Sequence, residues 1–525
     1  MKPPCDEASI WSASADSPCA PQSGPWILAA VILASSMAFI DGTVVNVGLP
    51  ALQAGFHATL VDVQWVVEAY GLFLGALILV GGSAGDIFGR RRVFLIGVLI
   101  FAAASAACGM AQSIQQLIAA RAIQGIGAAL LTPGSLAIIS ASFPERDRGA
   151  AIGTWSGFTA MTMALGPVLG GWLIEHASWR WIFFINLPLA AAVMVISLLH
   201  VPESRSSSAK RLDLLGASLV TIGLGGLVYG LIESPRLGWA NPKIFFNLIV
   251  ALTCLACFPF VERTGSSPMV PMKLFAARKF TGANLLTLFL YSALGIFFFV
   301  FPMNLIQVQR YSATAAGAAA LPSILLIFTL SRWSGGLVTR YGSKLPLLVG
   351  PLIAGAGFLL FAVAGVGGSY WTTFFPAFVV LGFGMAVSVA PLTTIVMTAV
   401  DRDYSGTASG INNAVARVAG LLAIAVCGVV MVSAFASHLE RELADLHVPA
   451  DVRAKVQAER TKFAAIDLPE TDPDIADKVK AAVTDSFLYA FRIVALCCAA
   501  LAGASAMTAL LTIDGKNPAS SSPTR

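Results

Sequence analysis

The sequence predicts an all-α polytopic membrane protein with about 14 transmembrane spans. Its 525 residues are 57% hydrophobic and only 12% charged, whereas about a quarter of the residues in a soluble protein are charged. A larger soluble core cannot account for the missing charge, because such cores stop growing at about 250–300 residues. Lipid must therefore cover most of the protein surface.

The spans are apolar runs separated by clusters of Gly, Pro or charged residues. About 20 apolar residues are needed to cross about 30 Å of hydrocarbon. The earlier runs are 26–49, 63–84, 93–111, 114–140, 149–174, 181–201, 214–232 and 244–261. The later runs are 280–306, 314–338, 345–365, 371–397, 406–432 and 483–511. Their even number leaves both ends of the chain on one side of the membrane.

The distribution of Lys and Arg predicts which side that is. Cationic clusters at 90–92, 146–148, 210–211 and 278–279 fall in the loops of one side. The short loops of the other side hold only Arg180, Arg236, Lys243 and Arg310. Short cationic loops stay in the cytoplasm. We therefore expect a multi-pass protein of a bacterial inner membrane with both termini in the cytoplasm.

A short pattern occurs twice in the chain. Residues 82–91 follow span 2 and residues 335–344 follow span 10, and their glycines and final cation align without a gap. This offset predicts two pseudo-symmetric six-helix bundles, 25–201 and 280–511, with two inserted helices at 213–261. Parallel halves of this kind rock around a central cavity.

Three polar segments complete the predicted organisation. Cytoplasmic tails cover 1–24 and 512–525, and the segment 433–482 lies between the last two spans on the external side. Apolar residues at helical spacing in 433–482 predict a helical hairpin. It could serve as a plain solvated connector or as a gating lid.

The first copy of the repeat is similar to the cytoplasmic loop signature of the major facilitator superfamily, with departures at Ala84 and Ile87. Residues 41–50, 65–70, 121–129 and 166–171 look like signatures of its fourteen-span drug:proton antiporter branch. Glu68 stands where that branch more commonly has Thr, and Thr162 replaces a Gly. The resemblance implies multidrug efflux and antibiotic resistance through proton antiport.

Three charged residues inside the first bundle are the predicted proton-coupling group: Asp41, Glu68 and Arg121. A buried charge in a membrane costs at least about 2.5–3.5 kcal/mol. The helical rise puts Asp41 about 22 Å above the inner end of span 1. It puts Arg121 about 10 Å below the outer end of span 4, and Glu68 about 7 Å below the outer end of span 2. All three reach similar heights. The alternatives are a structural Asp41–Arg121 ion pair and a Glu68 that snorkels to the interface.

The loop signature supplies the predicted conformational switch, which comprises Gly82, Asp86, Gly89, Arg90, Arg91 and, in the second copy, Arg340. The resemblance implies that Asp86 meets the start of span 13 near Tyr404, where a carboxylate complements the helix dipole. The alternative is a charged loop that serves only topology.

Span 5 carries the predicted antiporter motif Gly166, Pro167, Gly170 and Gly171. Small residues permit close helix approach, and proline bends a helix. The motif predicts either a kinked interface between the bundles or a plain packing notch.

The substrate cavity should be apolar with a few polar groups. Its candidates are Asn46, Tyr70, Gln124, Trp155, Phe158, Met161, Tyr291, Phe298, Asn412 and Arg417. Aromatic and Met side chains at helical spacing could instead serve packing or face lipid.

The expected substrate is small, hydrophobic and cationic, and its export is driven by a proton gradient without a cofactor. The alternative is a dedicated exporter of one metabolite, siderophore or lipid-like anion, which Arg332 and Arg417 would suit. An enzyme or an ATP-driven pump is not supported, because the chain has no phosphate-binding loop and no metal-ligand spacing. Nucleic acid is not expected as a partner. We expect a monomer, either working alone or joined by a periplasmic adaptor.

Overall fold

The computed structural model describes residues 23–205, 212–265, 268–400, 404–446, 448–466 and 473–513. Every regular element within these residues is helical. Fourteen helices are long and apolar enough to cross a membrane, which confirms the predicted fold class and number of spans. Most of the tails predicted at 1–24 and 512–525 lies outside the described residues.

The helices of the first half follow the predicted runs closely. They are α1 Gly24–Phe56, α2 Leu60–Phe88, α3 Arg90–Met110, α4 Ile114–Ser142, α5 Glu145–His176, α6 Trp181–Phe184 and α7 Asn186–His200. The inserted helices are α8 Leu214–Leu237 and α9 Pro242–Thr264. The N-terminus of α4 is capped by Ser113, whose hydroxyl accepts a hydrogen bond from Gln116 N. The first amides of a helix have no partner within the helix, and a serine in this position supplies one.

The second half begins with a 3₁₀ turn, Met272–Ala276. Its helices are α10 Arg278–Met303, α11 Ala313–Ala318, α12 Leu321–Tyr341, α13 Lys344–Ala362, α14 Tyr370–Thr373, α15 Phe375–Thr398, α16 Ser405–Asp445, α17 Ala450–Ala458 and α18 Pro473–Thr512. A π-helical turn, Asn304–Val308, follows α10. A second 3₁₀ segment, Arg460–Ala465, follows α17.

Several runs predicted as continuous helices are broken. The sixth span breaks between α6 and α7, the tenth between α11 and α12, and the twelfth between α14 and α15. A proline stands in the first turn after each break: Pro188, Pro322 and Pro376. Proline lacks the amide donor that would continue the preceding helix, but the first turn of a new helix tolerates it, which accounts for these breaks.

The chain divides into two compact units. The first comprises Met1–Ala51, Trp65–Leu227 and Phe246–Pro271, and the second comprises Leu52–Gln64, Val228–Phe245 and Met272–Arg525. The division runs through both inserted helices. The segment that joins α1 to α2 belongs to the second unit.

Close helix packing holds the first unit together, and an aromatic cluster lies in the core of the second. A Cβ atom on Gly127 of α4 would lie 2.6 Å from Phe101 N of α3, so only glycine permits this approach. In the second unit the ring of Phe297 lies 4.5 Å from that of Phe361, and the ring of Phe301 lies 5.0 Å from that of Phe378. Such tilted and edge-on pairs add to the burial of apolar surface.

The segment predicted as a helical hairpin, 433–482, is helical over most of its described residues. Helix α16 extends beyond the predicted end of its span to Asp445, and α18 begins earlier than predicted, at Pro473. The fully buried ring of Phe463 lies 4.9 Å from that of Phe435 and 6.0 Å from that of Phe487. The hairpin therefore packs through an aromatic contact onto both helices from which it extends.

Candidate transport site

A buried ion pair is the centre of the first unit's polar chemistry. Arg121 of α4 donates from Nη1 to Asp41 Oδ2 of α1, and the two side chains are 1% and 0% exposed. Arg121 also donates from Nε to Val66 O of α2 at 3.0 Å, and its guanidinium carbon lies 4.3 Å from the centre of the Tyr70 ring. The predicted proximity of Asp41 and Arg121 is thus present, in a site closed to solvent.

The other carboxylate oxygen of Asp41 is also occupied. Gln124 donates from Nε2 to Asp41 Oδ1 at 2.8 Å, and Asn186 donates to the same oxygen at 3.4 Å. Gln124 Oε1 in turn accepts from Arg121 Nη1 at 2.7 Å. Asp41 is therefore a fully bonded carboxylate, the arrangement that stabilises a buried charge.

Three members of this cluster were not predicted from the sequence. Ser105 of α3 donates to Phe183 O at 2.9 Å and accepts from Gln124 Nε2 at 3.2 Å and Asn186 Nδ2 at 3.0 Å. Cys108 Sγ lies 3.6 Å from Gln124 Oε1. The available signal was the amide of Asn186 within an apolar run, since a buried amide needs partners.

Tyr70 and Gln124, which we predict to line the substrate cavity, lie beside the ion pair. Their side chains are only 5% and 0% exposed. Tyr70 donates from its hydroxyl to Ala38 O at 3.2 Å while its ring faces Arg121. The Tyr70 ring packs against Arg121, and Gln124 bonds to both Arg121 and Asp41. The two side chains therefore help to hold the ion pair in place.

Glu68 of α2 has the opposite environment from Asp41. Its side chain is 1% exposed, and neither carboxyl oxygen has a hydrogen-bond partner among the described residues. A snorkelling acid would hold its charged end in water, so this burial does not fit that alternative. Glu68 is therefore a buried acid that no described Lys, Arg or His neutralises.

The predicted switch residues form a compact arrangement within the first unit. Asp86 accepts from Arg90 Nη2 at 2.8 Å, and Arg90 N donates to Ser204 O at 2.8 Å. Arg91 donates from Nη1 to Val201 O at 2.9 Å. The charged loop is thus tied to the segment after α7.

Glu203 is a second functional candidate that sequence reasoning missed. Its carboxylate is 5% exposed and accepts from Arg91 N at 3.1 Å and Arg92 N at 3.2 Å. These are free amides at the N-terminus of α3, where a negative charge complements the helix dipole. Gly89 has a φ of 110°, and a Cβ there would lie 2.8 Å from Glu203 Cδ.

The remaining switch residues are placed as follows. A Cβ on Gly82 would lie 3.6 Å from Pro133 Cβ of α4, an ordinary packing distance. Arg340 of the second unit is exposed, and its guanidinium carbon lies 5.2 Å from the centre of the Tyr341 ring. The contact predicted between Asp86 and the start of span 13 stays a prediction.

The span 5 motif packs against α1. A Cβ on Gly166 would lie 2.5 Å from Thr43 Oγ1, and one on Gly170 would lie 1.8 Å from Val44 Cγ2. Pro167 lies inside α5, which continues through it, and Gly171 is buried. This contact supports the packing-notch interpretation of the motif.

The other cavity candidates differ in their surroundings. Phe158 and Met161 are about half exposed, at 48% and 46%. Trp155 donates from Nε1 to Ser35 Oγ at 2.9 Å, and Asn412 donates from Nδ2 to Thr287 Oγ1 at 2.7 Å. Each of these two bonds joins neighbouring helices.

Four candidates are partly accessible. They are Asn46, Tyr291, Phe298 and Arg417, all half-buried. Asn46 Oδ1 is buried and has no donor among the described residues. Arg332 lies in α12, but its side chain falls outside the description. The cavity assignment of these residues stays a prediction.

Residues 31–424 match the family model of the Major Facilitator Superfamily. The chain belongs to this superfamily. It is 35% identical over 435 residues to the multidrug resistance protein Stp of Mycobacterium tuberculosis, covering 81% of this chain and 78% of the relative. It is also 33% identical over 433 residues to the tetracenomycin C resistance and export protein of Streptomyces glaucescens, covering 81% and 79%.

Solved structures of major facilitator proteins share the fold. A bacterial homolog of the human lysosomal transporter Spinster matches with a TM-score of 0.63 and 18% identity, covering 94% of this chain and 98% of that one. The Escherichia coli xylose transporter XylE matches with a TM-score of 0.54 and 14% identity, covering 94% and 97%. The superfamily and the resistance and export relatives, together with the fourteen apolar helices among the described residues, make the protein a multi-pass membrane transporter and not an enzyme.

Proposed function

We propose that the protein is a proton-coupled exporter of small hydrophobic, cationic drugs, working by alternating access. Its family and its relatives that confer resistance to tetracenomycin C, lincomycin and puromycin support drug export. The uneven distribution of Lys and Arg supports a place in the bacterial inner membrane with both termini in the cytoplasm. The expected driving force is the proton gradient, without a cofactor.

The observation that supports proton coupling is the contrast between two buried acids in one unit. Asp41 has a hydrogen-bond donor on each oxygen, whereas no residue that the structure describes donates to either oxygen of Glu68. An ionised carboxylate without a partner is far costlier in a buried site than a neutral carboxylic acid. A proton should therefore accompany Glu68 whenever the site is closed, and leave when water reaches it.

In this proposal Asp41 and Arg121 have a different task. Their ion pair, bonded further by Gln124 and Asn186, fixes α1, α4 and α7 around a charge that stays in place. A change in this pair's access to water would alter the electrostatic environment of a carboxyl group on the neighbouring helix α2. Glu68 would carry the proton, and the pair would position the helices.

The test is drug flux in proteoliposomes with an imposed pH gradient. We expect Glu68→Gln to bind drug but to lose the part of the flux that the gradient drives, because glutamine cannot release a proton. Asp485→Asn, which neutralises an exposed acid of α18, is the control and should transport like the unmodified protein. Retained gradient-driven flux in Glu68→Gln would overturn the assignment of the proton to Glu68, and its retention in Asp41→Asn as well would overturn proton coupling through either acid.

A second candidate is a dedicated exporter of a single compound. Several relatives are named for one compound each, among them the tetracenomycin C protein and the probable actinorhodin transporter of Streptomyces coelicolor. The half-buried Arg417 of α16 would suit an anionic group. Uptake of several unrelated cationic dyes into inverted vesicles would favour multidrug export, and transport of one compound without dye uptake would favour this alternative.

A further inference from the structure

Two carboxyl groups meet at the ends of the inserted helices, away from the transport site. Asp213 directly precedes α8, and Glu262 lies in the last turn of α9. Both belong to the first unit. Asp213 is half-buried, and Glu262 is 2% exposed. None of the family signatures in the sequence includes either residue.

Each carboxyl group uses one oxygen to bind a backbone amide. Asp213 Oδ1 accepts from Gly216 N at 2.8 Å and caps the N-terminus of α8. Glu262 Oε2 accepts from Val270 N at 2.9 Å, which ties α9 to the segment that follows it. These bonds fix the direction of the remaining oxygens.

The remaining oxygens converge above Gly216. A Cβ atom at Gly216 would lie 2.6 Å from Asp213 Oδ2 and 2.8 Å from Glu262 Oε1. Any larger residue would enter the space that the two oxygens share. Glu262 Oε1 is buried and receives no hydrogen bond from the described residues.

No cation neutralises the pair within the described part of the chain. Asp213 and Glu262 face each other, and no described Lys, Arg or His forms an ion pair with either. Arg263, the next residue along α9, is exposed. Two carboxylates so close, one of them buried, cannot both stay ionised without a large cost.

We propose that Asp213 and Glu262 share one proton and form a pH-sensitive clasp between the start of α8 and the end of α9. One proton removes the repulsion between like charges and supplies the donor that Glu262 Oε1 lacks. An acid donating to a carboxylate makes a short, strong hydrogen bond. The clasp is closed at acidic pH, while the proton is shared. As the pH rises and the proton leaves, the two negative charges repel each other and release the link.

Infrared difference spectroscopy of the purified protein across a pH series tests the shared proton directly. A band from a protonated carboxyl group should disappear as the pH rises, and this component should be missing from both Glu262→Gln and Asp213→Asn. Glu233→Gln alters the other buried acid of the inserted helices, which is paired with Arg236, and should keep the component. Identical difference spectra for the unmodified protein, Glu262→Gln and Asp213→Asn would overturn the proposal.

Thermal unfolding in detergent tests the clasp as a structural link. The apparent Tm of the unmodified protein should fall by about 2–4 °C on alkalinisation. Glu262→Gln should lack this fall, because its amide donates to Asp213 at every pH. Gly216→Ala should have the lowered Tm at every pH, because its methyl group pushes the two oxygens apart. An equal fall in Glu262→Gln would contradict the clasp. So would a Tm that Mg²⁺ or Ca²⁺ raises only while Glu262 is present, because a cation would then hold the pair. Neither readout depends on drug flux.

Discussion

At the scale of single residues, some buried polar groups of the protein are fully hydrogen-bonded and others have no described partner. The Asp41–Arg121 pair is satisfied on every side, and removing one partner of such a pair costs about 3–5 kcal/mol because it leaves the other charge buried alone. Glu68 and Asn304 are equally buried but have no hydrogen-bond partners among the described residues. An unsatisfied buried group reduces stability, so its presence calls for a functional reason.

Asn304 gives a stability prediction at this scale. It is 1% exposed at the first position of the π-helical turn, and neither its side-chain nitrogen nor its side-chain oxygen has a hydrogen-bond partner in the described part of the chain. Asn304→Leu should raise the free energy of unfolding by about 1–3 kcal/mol, because the unmet desolvation cost of the amide disappears. The midpoint of thermal unfolding in detergent measures this.

The matched control is Asn284→Leu on the preceding helix α10. Asn284 is also buried, but it donates to Phe280 O at 2.9 Å and accepts from Asn412 at 3.1 Å. This variant should lower the midpoint of thermal unfolding, because it removes the oxygen that accepts a hydrogen bond from Asn412. A fall in both variants would show that the amide of Asn304 is satisfied in the folded protein.

At the scale of helices and segments, Glu203, which lies outside the loop signature, binds backbone amides at the end of that signature. Glu203 reaches the first amides of α3 from the segment after α7, and Arg91 binds Val201 O in return. The signature's Gly89 leaves the space that the Glu203 carboxylate occupies. The cationic loop is therefore a capped helix start as well as a topological signal.

We predict that Glu203→Ala lowers the stability of the first unit by about 1–2 kcal/mol, the usual cost of losing a helix cap and its favourable charge. Glu203→Gln should lose less, because its amide oxygen still accepts one backbone hydrogen bond. Chemical or thermal unfolding in detergent compares the two variants with the unmodified protein. Equal stability of all three would mean that Glu203 does not support α3.

At the scale of the whole molecule, the distribution of cations makes a prediction about orientation. The hairpin over 433–482 should face the outside, and the N-terminal tail should face the cytoplasm. In a variant without native cysteines, a membrane-impermeant thiol reagent should label Glu440→Cys on intact cells. It should label Ser12→Cys only after the cells are opened. The reverse pattern would invert the proposed topology.

The two compact units do not have the same bounds as the predicted bundles and inserted pair. The sequence predicts the inserted helices as a separate pair, but the boundary between units runs through both of them. The segment joining α1 to α2 likewise belongs to the unit that contains the second bundle. Within that unit Gln64 donates to Ile424 O at 2.7 Å, and Gln307 donates to Gln53 at 2.8 Å.

The sequence alone determined the membrane class, the fourteen spans and the superfamily, because each depends on local composition or on residues in a fixed order. Span ends beside proline were less predictable: the breaks near Pro188, Pro322 and Pro376 required knowing where a helix could end without exposing its backbone. Helical rise predicted similar heights for Asp41 and Arg121, and the structure shows that the two side chains form an ion pair.

Only the tertiary structure decided the partners of these charges. Ser105, Asn186 and Glu203 lie far along the chain from groups they bind, and no local pattern identifies those partners. The structure likewise shows that Tyr70 and Gln124, predicted to line the substrate cavity, contact Arg121. A hydrophobic span is determined residue by residue, whereas a hydrogen bond depends on which faces of separate helices meet.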